Sequence, residues 1–159
     1  MYLASIYQLR KAIIIKPDHA YSYSNLGNTL KFLYRLDEAE NNCRIAIKLN
    51  PNDSTFYYNL GHILKLQGKL EDTEKSFRKA IDLEENAEPL LALASCLKNK
   101  DINKAIVLAK KALDKDPNYV DFNYRKEQLW GEKLQISTEK LFENPQIKKE
   151  ILVAKTKIK

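Results

Sequence analysis

A short stretch near the N-terminus of the chain recurs at a fixed distance. The sequence Tyr23-Ser-Asn-Leu-Gly27 reads again 34 residues later as Tyr57-Tyr-Asn-Leu-Gly61. Pro17 and Pro51 keep the same distance. A fixed period in this range predicts stacked structural repeats, because a single unit cannot bury its own apolar face and needs its neighbours to cover it.

The spacing within one period carries a family signature. In the first full unit the pattern W-x2-L-G-x2-Y, A-x3-F, P falls on Tyr23, Leu26, Gly27, Leu30, Ala39, Cys43, Ala46 and Pro51. This arrangement resembles the tetratricopeptide repeat. Leu30 and Cys43 replace the family's tyrosine and phenylalanine. The resemblance covers roughly residues 1–119. It implies an all-α fold, a right-handed α-solenoid of stacked helix-turn-helix pairs with a C-terminal capping helix.

The period divides the chain into six predicted segments. These are a half repeat with only its second helix (1–17), a first repeat (18–51), a second repeat (52–86), a degenerate third repeat (87–117), a capping helix (118–144) and a basic tail (145–159). We expect Asp18 to cap the first helix of its repeat and Leu70 to pack inward. Leu129 and Trp130 are expected in the apolar stripe of the capping helix.

The half repeat exposes an apolar face that includes Leu3, Ile6 and Ile14. Two explanations stay open. The chain is a piece of a longer protein or a truncated gene product, or this face docks on a partner or on a second copy of the chain.

Composition argues against several classes of protein. Cys43 and Cys96 show no Cys-x-x-Cys spacing and read as small buried side chains, which favours a reducing compartment and a cytoplasmic location. No apolar run reaches the length of a membrane span, and no signal peptide is visible. His19 and His62 have no ligand partner at helical spacing, and no glycine-rich phosphate loop occurs. We therefore expect no catalysis, no metal and no cofactor. The formal charge of +6 is concentrated at the two ends, so nucleic acid is not expected as a partner of the body.

The family resemblance implies where a ligand would bind. In tetratricopeptide arrays the first helices of successive pairs line a concave groove. The positions that match are Tyr21, Asn25, Asn28, Lys31, Tyr58, Asn59, His62, Lys65 and Lys98. We take these as candidate peptide-binding residues.

Two columns of these residues carry the chemistry. Asn25 and Asn59 are equivalent, and an asparagine amide can pair with both the N–H and the C=O of an extended backbone; the pair is similar to the asparagine ladder of glycosyltransferase superhelices. Lys31, Lys65 and Lys98 form a second column that favours acidic peptides. The carboxylate clamp of co-chaperone domains is not expected, because its basic positions are not basic here.

The leading hypothesis is a non-catalytic protein-protein interaction scaffold that binds an extended peptide, preferably an acidic one, in the concave groove. One alternative is the substrate-recognition arm of a larger enzyme such as a glycosyltransferase. A lesser alternative is binding of nucleic acid or anionic membrane through the basic C-terminal tail.

Overall fold

A computed structural model describes residues 2–128 and 132–158. Over these residues the chain forms ten α-helices and one 3-10 helix, and no strand. The α-helices are α1 (Tyr2–Ile15), α2 (Ala20–Phe32), α3 (Leu36–Leu49), α4 (Ser54–Leu66), α5 (Leu70–Leu83), α6 (Ala87–Leu97), α7 (Ile102–Lys115), α8 (Phe122–Glu127), α9 (Glu132–Phe142) and α10 (Pro145–Lys157), and the 3-10 helix is Pro117–Val120. The expected all-α class is confirmed. No helix within the described residues is long and apolar enough to cross a membrane.

The chain divides into two compact units, residues 1–84 and residues 85–159. The N-terminal unit contains the hairpin pairs α2–α3 and α4–α5, with α1 packed on α2. Its core includes Leu26 and Leu30 of the first pair together with Leu60 and Leu64 of the second. These are the apolar positions that the 34-residue period predicts, so the repeat pattern and the core coincide.

Two glycines let the helices of each pair approach closely. A methyl group added at Gly27 would stand 2.7 Å from the sulfur of Cys43 and 2.9 Å from the carbonyl oxygen of Ala39. At Gly61 it would stand 2.5 Å from the ring of Phe77. Both helix pairs therefore need a residue without a side chain at this position.

The structure corrects two local expectations. Asp18 does not cap α2, because the helix begins at Ala20 and His19 takes the N-cap position. The ring of His19 is hydrogen-bonded to Oγ of Ser22 at 2.8 Å and caps no backbone N–H. Leu70 does not pack inward. It is the first residue of α5, next to the turn that joins α4 to α5, and is 64% exposed.

The face of α1 is partly covered and partly open. Ile6 is buried in the core of the N-terminal unit. Leu3, Tyr7 and Ile14 are 73%, 65% and 81% exposed. These three side chains lie at helical spacing on one side of α1. Of the face expected to be open, Leu3 and Ile14 are exposed, whereas Ile6 packs into the core. The use of this face in self-association stays a prediction.

The C-terminal unit is built on the pair α6–α7, in which Ala105, Ala109 and Ala112 are fully buried. The helix expected over 118–144 is replaced by the 3-10 helix and the short helices α8 and α9. The expected basic tail is the helix α10, which packs on α7 and buries Ile147. Leu129 and Trp130 lie outside the described residues.

A buried arginine joins the segments of this cap. Arg125 of α8 is 0% exposed. Its guanidinium donates to the carbonyl oxygen of Tyr119 at 2.6 Å and to Oε1 of Gln135 at 3.0 Å, and it pairs with Glu139. Burial lowers the pKa of Arg125 to about 10. One cation thus ties the 3-10 helix, α8 and α9 together, because a buried guanidinium requires partners for its donors.

Candidate functional site

The candidate site is the surface that α2 and α4 form in the N-terminal unit with their residues Tyr21, Asn25, Asn28, Lys31, Tyr58, Asn59, His62 and Lys65; we call it the inner face. The two helices contact each other. Nδ2 of Asn59 donates a hydrogen bond of 3.0 Å to Oγ of Ser24 across this contact. The bond fixes the amide of Asn59 in place. Asn25, which directly follows Ser24 in the sequence, is exposed.

Asn28 brings an unsatisfied acceptor to the inner face. The residue is half-buried, and its Oδ1 is buried without a hydrogen-bond partner among the described residues. A buried acceptor without a partner costs about 1–3 kcal/mol. A ligand N–H that reaches this oxygen would recover that free energy.

Tyr21 is held at one end of the inner face. Its hydroxyl donates to the carboxylate of Asp53, and its ring meets Phe56 edge to face at a centroid distance of 5.0 Å. The hydrogen bond and the charge of Asp53 raise the pKa of Tyr21. The ring is 47% exposed, so it offers a fixed aromatic surface to solvent.

A second aromatic cluster lies on α4. The ring of His62 meets Tyr58 at 4.5 Å and Phe77 at 5.3 Å between centroids, both nearly perpendicular. His62 is 8% exposed. Burial, with the charges of Lys31 and Lys65, lowers the pKa of His62 well below its usual value, so the ring is neutral. It packs as an aromatic side chain and keeps Tyr58 in position.

The lysines of the expected column differ from one another in exposure. Lys31 is only 8% exposed, and its Nζ lies 4.6 Å from the centroid of the Phe32 ring. Burial lowers the pKa of Lys31 to about 8, and no ion pair of this lysine is described in the structure. Lys65 is half-buried. The inner face therefore carries a poorly solvated cation, which a ligand anion would stabilise.

Lys98 belongs to the C-terminal unit and is not open to a ligand in the way expected. Its Nζ donates to the backbone carbonyl of Ser137 in α9 at 3.3 Å. In return Oγ of Ser137 donates to the carbonyl of Ser95 at 3.1 Å. Leu91, two helical turns before Lys98 in α6, is fully buried. The corresponding face of α6 is thus covered by α9 of the same chain.

A partial signal for this cover is present in the sequence. Leu134, Thr138 and Leu141 of α9 are buried at helical spacing. Such a stripe shows that one side of a helix packs, but it does not show which helix it packs against.

Within the described residues no cluster of three or more metal-ligating side chains occurs.

Two tetratricopeptide-repeat family models match the chain, one over residues 19–49 and the other over residues 43–75. The chain is a tetratricopeptide-repeat protein. The first match covers α2 and α3, and the second runs from α3 through α4 into α5. No curated protein matches the sequence.

Solved structures agree with this assignment. A tetratricopeptide-repeat protein of Thermus thermophilus, TTC0263, is 22% identical with a TM-score of 0.68, over 77% of this chain and 70% of that chain. YrrB, described as a tetratricopeptide-repeat protein with an unusual peptide-binding site, is 19% identical with a TM-score of 0.62, over 98% and 84%.

A third similar structure is a mutant of the Thermobaculum terrenum O-GlcNAc transferase. It is 23% identical with a TM-score of 0.66, over 71% of this chain. The match spans only 22% of that chain, so it concerns a part of the transferase. At these identities the likeness shows the fold alone.

Proposed function

We propose that this tetratricopeptide-repeat chain is a non-catalytic scaffold that binds an extended segment of a partner protein on the inner face of α2 and α4. The observation that carries the proposal is the hydrogen bond from Asn59 to Ser24. It ties two neighbouring first helices together and holds one amide ready for a ligand, which lowers the entropy lost on binding.

The amides supply the backbone recognition. Asn59 uses one N–H toward Ser24, and no other hydrogen bond is described for its side chain. Its second N–H and its carbonyl oxygen remain for a peptide. Asn25 is exposed one repeat earlier, and Asn28 adds a buried acceptor that no described group satisfies.

The rings and the charges supply selectivity. Tyr21 and Tyr58 are fixed by their aromatic neighbours and offer rigid contact area. Lys31 and Lys65 both lie close enough to His62 to shift its pKa, so two cations flank this part of the face. A partner segment with carboxylates gains most there, because it pairs with a cation that water solvates poorly. The description of YrrB supports peptide binding as a use of this fold.

A capture experiment tests the proposal. The wild type is compared with Asn25→Ala/Asn59→Ala and with the matched control Asn41→Ala/Asn103→Ala, which changes exposed asparagines on second helices. We expect partners from native lysate to bind the wild type and the control and to be lost from the inner-face variant. Thermal unfolding of each variant checks the fold. Retention of every partner by a folded inner-face variant contradicts the proposal.

The likeness to the transferase favours a second candidate, in which the chain is the substrate-recognition arm of a larger enzyme. Genomic sequence on both sides of the reading frame tests it, and an adjoining catalytic segment is the expected result. The third hypothesis, binding through the basic tail, stays a prediction. In the structure Lys157 of that tail pairs with Asp114 at 3.0 Å.

A further inference from the structure

A cleft opens on the other side of the N-terminal unit, between the second helices α3 and α5. Its volume is about 400 Å³. Arg44 and Lys48 line it from α3, and Lys75 and Lys79 line it from α5. Each pair is spaced by four residues, so each helix contributes two cations one turn apart on the same side. We call this surface the outer cleft.

The four cations differ in whether they already pair with an acidic side chain. Arg44 pairs with Glu40 of its own helix at 2.7 Å, and Lys75 lies 3.5 Å from Asp72. No ion pair or hydrogen bond is described for the ammonium groups of Lys48 and Lys79, both of which are exposed. These two lysines are therefore the charges that a ligand can take without breaking an existing bond.

The bottom of the outer cleft is apolar. It is formed by Leu60 and Tyr57 of α4 and by Ile47 of α3. Leu60 is buried, and the other two are half-buried. A ligand side chain that covers this floor removes apolar surface from water, which contributes about 25 cal/mol for each Å². The cleft thus combines an apolar seat with a cationic rim.

The repeat provides an internal comparison. The positions 34 residues before the four rim cations are Arg10, Ile14, Asn41 and Ile45. The equivalent surface between α1 and α3 therefore has one cation where the outer cleft has four. A concentration of charge at one of two equivalent places is not a requirement of the repeat fold.

We propose that the outer cleft is a second binding site, for a short segment of a partner protein that places an aliphatic or aromatic side chain on the floor and acidic side chains on Lys48 and Lys79. An acidic polypeptide fits better than the other polyanions. Nucleic acid binds mainly through its phosphates, and phosphate contacts with Lys48 and Lys79 would leave the seat between Ile47 and Leu60 open to water. A membrane surface is broad, whereas this cleft is narrow and lies between two helices.

Peptide display tests the proposal with a defined probe. A random phage library of peptides about 12 residues long, enough to span the cleft when extended, is selected on the wild-type chain, on Lys48→Glu/Lys79→Glu and on the matched control Lys11→Glu/Lys16→Glu. The control makes the same change of net charge at exposed lysines of the N-terminal region. Circular dichroism and thermal unfolding check that all three proteins are folded.

We expect the wild type and the control to select peptides in which Asp or Glu flanks a Leu, Ile, Phe or Tyr, and the outer-cleft variant to lose them. A synthetic peptide of this kind should bind the outer-cleft variant on the order of tenfold more weakly than the wild type and the control, and its affinity should fall with added salt. It should still bind Asn25→Ala/Asn59→Ala, which separates this site from the inner face.

Two results overturn the proposal. One is that the selection yields no peptides with acidic and apolar side chains whose binding requires Lys48 and Lys79. A single-stranded RNA oligonucleotide and phosphatidylserine vesicles are tested in parallel. If only the binding of one of these depends on the two lysines, the cleft belongs to another class of polyanion and the proposal is wrong.

Discussion

Replacing Lys31 with methionine should stabilise the protein at neutral pH. The ammonium group is 8% exposed, has no described ion pair and has its pKa lowered from 10.5 to about 8 by burial. A shift of this size means that keeping the charge in the folded state costs about 3 kcal/mol. Methionine keeps most of the length and the contact with Phe32 without the charge, so Lys31→Met removes that cost.

The sign of the pH dependence follows from the direction of the shift. Because the pKa of Lys31 is lower in the folded state than in the unfolded one, the unfolded chain binds more protons between about pH 8 and 10.5. The shift of Lys31 therefore makes the free energy of unfolding of the wild type increase with pH in this window. Below pH 8 the cost of the buried charge is present in full. The advantage of Lys31→Met should be largest at pH 7 and should shrink above pH 8.

Urea denaturation at pH 7, 8 and 9 measures this. The thiol of Cys43, whose pKa burial raises from 9.0 to about 12, ionises only in the unfolded chain in this pH range. It does so in the wild type and the variant alike, so its effect cancels in the difference between their free energies of unfolding. We expect the variant to be more stable at pH 7 by about 2–3 kcal/mol, and the difference to narrow by about 1 kcal/mol between pH 8 and pH 9. Lys11→Met, at an exposed lysine of α1, is the control and should stay within about 0.5 kcal/mol at every pH. A variant less stable than the wild type at pH 7, or a difference that does not change with pH, would refute the reasoning.

Three further predictions concern single sites. Tyr34 has φ 57° in the turn where the next repeat has Gly68, and Tyr34→Gly should raise the free energy of unfolding by about 0.5–1 kcal/mol, whereas a fall in melting temperature would contradict it. Gly27→Ala should lower the free energy of unfolding by about 1–2 kcal/mol in denaturant titration, because the clash with the carbonyl of Ala39 costs more than the gain in helix propensity. An unchanged midpoint would show that α2 and α3 can move apart. Because His62 is buried and neutral, the wild type should lose up to about 2 kcal/mol between pH 7 and 5 and His62→Leu clearly less; equal losses would contradict this assignment.

The repeat pattern predicted most of the fold because it records contacts that recur. The apolar positions that lead from Leu26 to Leu60 are core positions in both pairs, and the small residue at Gly27 and Gly61 is needed wherever the two helices touch. The repeat boundaries themselves stay a prediction, as does the peptide-binding role of the candidate residues.

The environment of each candidate residue could not be predicted in the same way. The period places Lys31 on the inner face, but its contact with the ring of Phe32 involves a residue that the next repeat replaces with Leu66. In the same way the charges of the outer cleft come from positions that differ between the repeats, such as Lys48 and Ile14. A repeat pattern specifies what the units share, whereas a binding site is made from what they do not share.

The cover of α6 by α9 limits what the C-terminal unit can bind. Lys98 and Ser95 exchange hydrogen bonds with Ser137, so the chain itself occupies the face that a third repeat would offer. A ligand could reach α6 only by replacing these bonds and exposing the apolar side of α9, including Leu134 and Leu141. Exposure of two buried leucines costs several kcal/mol, on the order of the whole gain from a short peptide. For the proposed peptide site we therefore expect substitutions on α2 and α4, rather than at Lys98, to decide affinity.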